Sequence, residues 1–239
     1  MSGAWLVLPT YNEAENIEPL VRAALPQLEA TGRPHTILIV DDGSPDGTGR
    51  IADRLAGELA PVRVLHRHRK EGLGRAYLAG FHAALDGGAE LVLEMDSDFS
   101  HDPADLPGLI AASDAADLVL GSRYVPGGGI VNWGVVRRSL SRAGSAYARI
   151  LLGIPVRDLT GGFKCFHRRV LETIDLDGVH ADGYGFQIEL TYRAVQAGFA
   201  VAEVPILFRE RRVGQSKMTA RIALEAVWKV PALRLRRVT

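Results

Sequence analysis

The sequence predicts an α/β domain with a mostly parallel central sheet flanked by helices. Short apolar runs alternate with segments of helical period, the pattern of repeated β–α–β units. Most of those runs stop abruptly at polar or charged residues, as strands do where they leave a core. A chain of 239 residues that is 47% hydrophobic is long enough to bury one substantial core.

Taken in order, the strand-type runs are residues 4–8, 36–40, 62–66, 91–95 and 118–122, and the helical segments between them are 15–30, 48–59, 74–85 and 103–112. Beyond Arg123 the pattern changes. Pro126-Gly127-Gly128-Gly129 reads as a loop, either a surface turn or an active-site lid. Helix is expected at 137–152, strand at 162–167, helix at 186–196, strand at 200–208, and helix at 217–230 until Pro231 removes a backbone donor. There is no internal repeat and no low-complexity linker.

Lys plus Arg and Asp plus Glu each number 28, so no general affinity for nucleic acid is expected. One cysteine excludes an internal disulfide and fits a reducing compartment. The start lacks a signal-peptide pattern, and no uncharged apolar run approaches the roughly 20 residues of a membrane span. A soluble or peripheral protein is expected. The zero net charge conceals a separation: residues 209–239 hold nine basic and two acidic side chains, a balance of +7 against −7 on residues 1–208. A basic tail on an acidic body suits an anionic partner.

Asp96-Ser97-Asp98 follows the apolar run at 91–95. In extended chain these carboxylates share one side and can share a hard cation, Mg²⁺ or Mn²⁺, bridging a diphosphate. Asp41 and Asp42 end the second run, where carboxylates can bind a ribose or a base edge. The spacing through Asp53 imitates a calcium loop, but a strand-like run precedes it instead of a helix. An NAD site is also excluded, because Pro9-Thr10-Tyr11-Asn12-Glu13 has no glycine-rich turn. Arg211-Arg212-Val213-Gly214-Gln215-Ser216-Lys217 offers cations to a diphosphate leaving group.

Together these pieces resemble the inverting GT-A glycosyltransferases of family 2, specifically the polyprenol-phosphate (dolichol-phosphate) mannosyltransferases. The match extends from Leu8 to about Lys217, through segments 8–13, 40–48, 95–103, 121–124, 158–166, 183–189 and 211–217. The resemblance implies a Rossmann-like GT-A fold. It implies that Pro9, Tyr11, Glu13, Val40 and Asp42 surround the donor nucleoside. Asp96, Ser97 and Asp98 would serve the diphosphate, with Asp96 and Asp98 as metal ligands and catalytic residues. Arg123, Arg211 and Lys217 would secure donor phosphates. One departure concerns Ser100, where the family often has a longer glutamine, so metal ligation there would need an intervening water.

On the acceptor side, Arg137 and Ser141 share a helix face four residues apart, a grip for a lipid phosphate, and family members carry this pair after a tryptophan that matches Trp133. A phosphate monoester, with a second pKa of about 6, needs little from a general base, and none is assigned. The expected domains are a catalytic unit, 1–217, and a basic amphipathic interface segment, 218–239. The expected partners are GDP-mannose, a polyprenyl phosphate, a membrane surface and a membrane-embedded protein. The expected location is the cytoplasm, peripheral on the cytoplasmic membrane face. UDP-glucose as donor, and a non-catalytic nucleotide-sugar-binding subunit, are the alternatives.

Overall fold

A computed structural model of the chain describes residues 3–179, 181, 183–210, 230–231 and 233–234. The expectations for Arg211, Lys217 and nearly all of 217–239 lie outside the described residues. The elements are β1 (Ala4–Thr10), α1 (Ile17–Glu29), β2 (His35–Asp41), α2 (Thr48–Glu58), β3 (Val62–His66), α3 (Leu73–Asp86) and β4 (Leu91–Glu94). A 3-10 turn at Pro103–Asp105 leads to α4 (Leu106–Ala112), β5 (Leu118–Ser122), β6 (Gly129–Ile130), α5 (Val135–Leu152) and β7 (Lys164–His167). Then come α6 (Arg168–Thr173), α7 (Tyr184–Gln196), β8 (Val201–Pro205) and β9 (Leu207–Phe208).

Seven strands form one sheet in the order β3-β2-β1-β4-β7-β5-β8. All pair in parallel except β7, which runs antiparallel to both neighbours. The period-2 alternation of strand side chains builds two apolar layers. Trp5, Val7, Leu38, Val40, Val92, Leu118 and Leu120 face α3 and the helices after β5. Leu6, Leu8, Ile37, Ile39, Leu91, Leu93 and Val119 face α1, α2 and α4. Because both faces are covered, these strands read as continuous apolar runs. Val230 and Leu233, at the described end of the tail, are buried in the first layer. Among the described residues no helix is long and apolar enough to cross a membrane.

Several expectations change. The run at 91–95 stops pairing as a strand at Glu94, and Ser97 and Asp98 occupy a turn, so the two carboxylates do not share one side of an extended chain. The next residue, Phe99, is left-handed (φ 61°), unusual for an aromatic. The strand expected at 162–167 begins at Lys164 and is reversed. That at 200–208 breaks at Ile206, whose N–H bonds to Ser122 O, and its second part pairs with β6. The glycine loop turns at Gly127 (φ 88°) and ends by entering that pair. The helix expected at 103–112 is split into the 3-10 turn and α4, with Asp102 capping the turn through Ala104 N–H.

Gly80 of α3 shows how closely helix and sheet approach: a Cβ there would lie 2.3 Å from Val7 Cγ1. Helix propensity alone favours Gly80→Ala by about 1 kcal/mol, whereas overpacking a filled core costs about 1–3 kcal/mol. A net loss of stability in urea titration is the expected outcome.

Candidate active site

Parallel strands β1, β2, β4 and β5 end on the same edge of the sheet, so Thr10, Asp41, Asp96 and Arg123 are delivered to one side. The reversed β7 brings its beginning there, so Gly161 and Gly162 join them. Asp96, Asp98, Ser100, Arg123 and Arg137 line one cavity with Thr160, Gly162 and Gln187.

Asp96 Oδ1 accepts a 3.1 Å hydrogen bond from the Tyr77 hydroxyl of α3. Burial and then the Asp96 charge push the Tyr77 pKa well above the usual phenol value, so it stays a donor. Asp98 Oδ1 accepts from Ser100 N–H at 3.0 Å, which tightens the turn. Ser97 points away, donating to Pro9 O at 2.9 Å and tying this turn to β1. Gly162 leaves room beside the first carboxylate: a Cβ there would sit 3.6 and 3.7 Å from the Asp96 oxygens. Among the described residues no three His, Cys, Asp or Glu side chains cluster as metal ligands. A cation here would have the two aspartates and fill its shell with water and substrate oxygens.

Buried atoms without a partner among the described residues are Glu94 Oε2, Ser100 Oγ, His101 Nδ1, Trp133 Nε1 and Gln187 Nε2. Four of those residues line this same cavity, Glu94 being the exception. Buried polar atoms are ordinarily satisfied, so this concentration marks a place built for a polar ligand.

In the same cavity, Arg123 is buried and already engaged. Its Nε and Nη2 donate to Asp158 at 2.7 and 2.6 Å, and Nη2 also reaches Thr160 Oγ1 at 2.8 Å. Burial alone would raise the Asp158 pKa, but the guanidinium outweighs it and holds the carboxyl below its ordinary range. Arg137 and Ser141 do share the inner side of α5. The Arg137 guanidinium lies 4.0 Å from the Trp133 ring centroid and pairs with Glu210 at 3.1 Å. Ser141 Oγ accepts from the Tyr124 hydroxyl at 2.8 Å.

The residues expected around a nucleoside occupy the β1 and β2 ends, apart from this cavity. Asn12 and Glu13 N–H groups bond to Ser44 and Thr48 hydroxyls, locking the two loops together. Glu13 is buried and accepts from Asn16 Nδ2 at 2.8 Å. Tyr11 lies beneath Lys70, whose Nζ is 4.4 Å from the ring centroid. Asp42 is bonded to Arg67 at 2.5 Å; burial raises its pKa against that cation. The Val40 side chain is fully buried in the core, so any nucleoside contact from that position runs through its backbone.

A model for glycosyl transferase family 2 matches residues 5–175. The chain belongs to glycosyl transferase family 2. An undecaprenyl-phosphate mannosyltransferase of Micrococcus luteus is 48% identical over 225 residues, 92% of this chain and 89% of that protein. A polyprenol monophosphomannose synthase of Mycolicibacterium smegmatis is 50% identical over 230 residues, 94% of this chain and 84% of that one. The Mycobacterium tuberculosis glucosyl-3-phosphoglycerate synthase, solved with Mn²⁺, UDP and glucosyl-3-phosphoglycerate, superposes with a TM-score of 0.73 at 21% identity, covering 97% of this chain and 80% of that one. That likeness is one of fold, the GT-A arrangement of a mostly parallel sheet between helices.

Sequence reasoning about this glycosyltransferase missed the partners that hold its site: Tyr77, His101, Asp158, Thr160 and Gln187. The last three lie in or beside segments 158–166 and 183–189, which were recognised as motifs without roles for their members. His101 is packed between Phe163, tilted at 33°, and Phe208, met edge-on, with centroids 5.1 and 5.2 Å away. Burial lowers its pKa from 6.5 to about 4, so it is neutral in the folded enzyme. The unfolded chain takes this proton near the ordinary value and the folded chain only near 4. Stability is therefore complete above pH 6.5 and is lost as pH falls toward 4. Urea midpoints at pH 7 and 5 should differ less in His101→Phe than in the native protein.

Proposed function

We propose that this enzyme transfers mannose from GDP-mannose to a polyprenyl phosphate with inversion, at the cytoplasmic face of a membrane. The observation that carries the reading is a single cavity lined by both the Asp96 and Asp98 carboxylates and the Arg123 and Arg137 guanidinium groups. The relatives named for mannosyl transfer to polyprenyl phosphates support the sugar and the acceptor. Asp96 and Asp98 would hold Mg²⁺ or Mn²⁺, which neutralises a diphosphate leaving group. Pro9, Tyr11, Glu13, Asp42 and the Val40 backbone would hold the nucleoside, with Ser97 bracing the turn beneath it and Ser100 reaching the cation through water. Arg211 and Lys217 would secure the donor phosphates.

Arg137 and Ser141 would grip the acceptor phosphate. Its attack on the anomeric carbon opposite the departing diphosphate inverts that centre in one displacement. The dianion needs no proton removed, so positioning and charge stabilisation account for the rate. Arg123, neutralised by Asp158, gives directional hydrogen bonding more than net charge.

Helix α5 supports the membrane part of the reading. Val135, Leu140, Tyr147 and Ile150 are exposed on its outer side, and Leu207 of β9 is the only other large hydrophobic exposed among the described residues. Arg138, Arg142 and Arg149 form an adjacent stripe. An apolar arc edged with arginine suits a leaflet of anionic headgroups. The unit 1–217 would thus touch the bilayer through α5, with segment 218–239 adding basic contacts and a surface for a membrane-embedded partner.

A donor panel with polyprenyl phosphate, with and without EDTA, tests the activity. Lipid-linked mannose from GDP-mannose, lost on chelation, is expected; preferential use of UDP-glucose would replace the donor, and nucleotide binding without any transfer would favour the binding-subunit reading. Asp98→Asn should lower turnover by at least a hundredfold with an unchanged urea midpoint, an estimate from lost transition-state charge stabilisation. Leu140→Glu with Ile150→Glu should abolish flotation with anionic liposomes while soluble GDP binding stays intact.

A further inference from the structure

Lys164 of β7 is fully buried, with Nζ 3.0 Å from Glu94 Oε1 of β4. It also donates to the side-chain oxygen of Gln187 in α7. An ammonium has no acceptor, so this contact sets the amide oxygen toward Lys164 and leaves Nε2 to its other neighbours, the Glu94 carboxyl and Gly162. Nε2 makes no hydrogen bond of full geometry among the described residues, although Gln187 is 3% exposed and lines the cavity. Glu94 lies close enough for the amide to lower its pKa, so one N–H faces that carboxyl and the second is left for the cavity.

The direction that second donor faces is defined by Gly162. A Cβ on that residue would lie 3.2 Å from Gln187 Nε2 and 3.6 and 3.7 Å from the two Asp96 oxygens. The space left by the missing side chain therefore has a hydrogen-bond donor on one side and a carboxylate acceptor on the other. A phosphate oxygen, which only accepts, would be repelled by Asp96 there. A hydroxyl both accepts and donates, and matches the two walls together.

We infer that Gln187, with Gly162 and Asp96, forms the subsite for one hydroxyl of the transferred hexose. The inference rests on the glycosyl-transfer reading of the cavity. Gln187 accordingly acts on the sugar and not on the nucleotide, and Gly162 is required because any side chain would occupy the hydroxyl's place.

Calorimetric titration of the full chain with GDP and with GDP-mannose separates the two parts of the donor. Gln187→Met keeps the size and removes the donors; Gly162→Ala fills the space from the opposite wall. Each should weaken GDP-mannose about tenfold, the worth of one buried hydrogen bond left unmade, while GDP affinity is unchanged. Unchanged GDP affinity also shows that the variant is folded. One of the 2-, 3-, 4- or 6-deoxy analogues of GDP-mannose should lose the same factor on the native enzyme and nothing more on Gln187→Met. Equal weakening of GDP and GDP-mannose in both variants, or losses that add for all four analogues, would overturn the subsite. If the native protein prefers another sugar nucleotide, the mannose reading fails separately, and the same comparison with that donor and its free nucleotide still decides the role of Gln187.

Discussion

Lys164 and Glu94 face each other across the β4–β7 pairing, both without exposed surface. Burial pushes the carboxyl pKa up and the ammonium pKa down, each opposed by the partner's charge. Such a pair adds little net stability, since desolvation consumes most of the attraction, but breaking it strands a charge at a cost of about 3–5 kcal/mol. Its consequence is register. Lys164 and Phe166 share one face of β7, while Phe163 and Cys165 face the purely apolar layer over α1 and α4. A slip of one residue would drive the ammonium into that layer. The pair thus holds the one reversed strand in place, and with it the approach of Gly161 and Gly162 to the carboxylates.

Around that strand, the site is assembled from loops that bond to one another. Ser97 reaches Pro9, the β1 and β2 loops interlock, and Arg123 closes on Asp158, whose own N–H bonds to Glu203 of β8 at 2.9 Å. Loops at a sheet edge are ordinarily the soft part of an α/β domain. Here the cross-links hold the Asp96–Asp98 turn against β1 and the Arg123 guanidinium against Asp158, which reduces the ordering left for a bound donor to impose.

Helix α5 joins the site to whatever lies outside it. Its inner side carries Arg137, Ser141 and Ser145, with Ser145 3.2 Å from Thr160 in the Arg123 network. Its outer side is apolar, with arginines between the two. An acceptor with a phosphate head and a hydrocarbon tail presents that same pair of surfaces, so one helix can address both ends of the molecule.

Much of this was legible in the chain. Residues 4–8, 36–40, 62–66 and 118–122 announced their strands because a sheet covered on both faces leaves unbroken apolar runs. Asp96 and Asp98 were visible because carboxylates directly after such a run have few purposes. The direction of β7 was not legible, since alternation is identical in parallel and antiparallel strands. Neither was the engagement of Arg123 by Asp158, 35 residues away, nor the aim of the Gln187 amide on α7, which depends on an ammonium from strand β7. The sequence by itself determined the layers, the sheet edge that carries the chemistry and the charged residues placed there. Only the tertiary structure decided which charges are spent on each other and which polar groups stay open to a substrate, because hydrophobic periodicity is a local property and side-chain pairing is a long-range one.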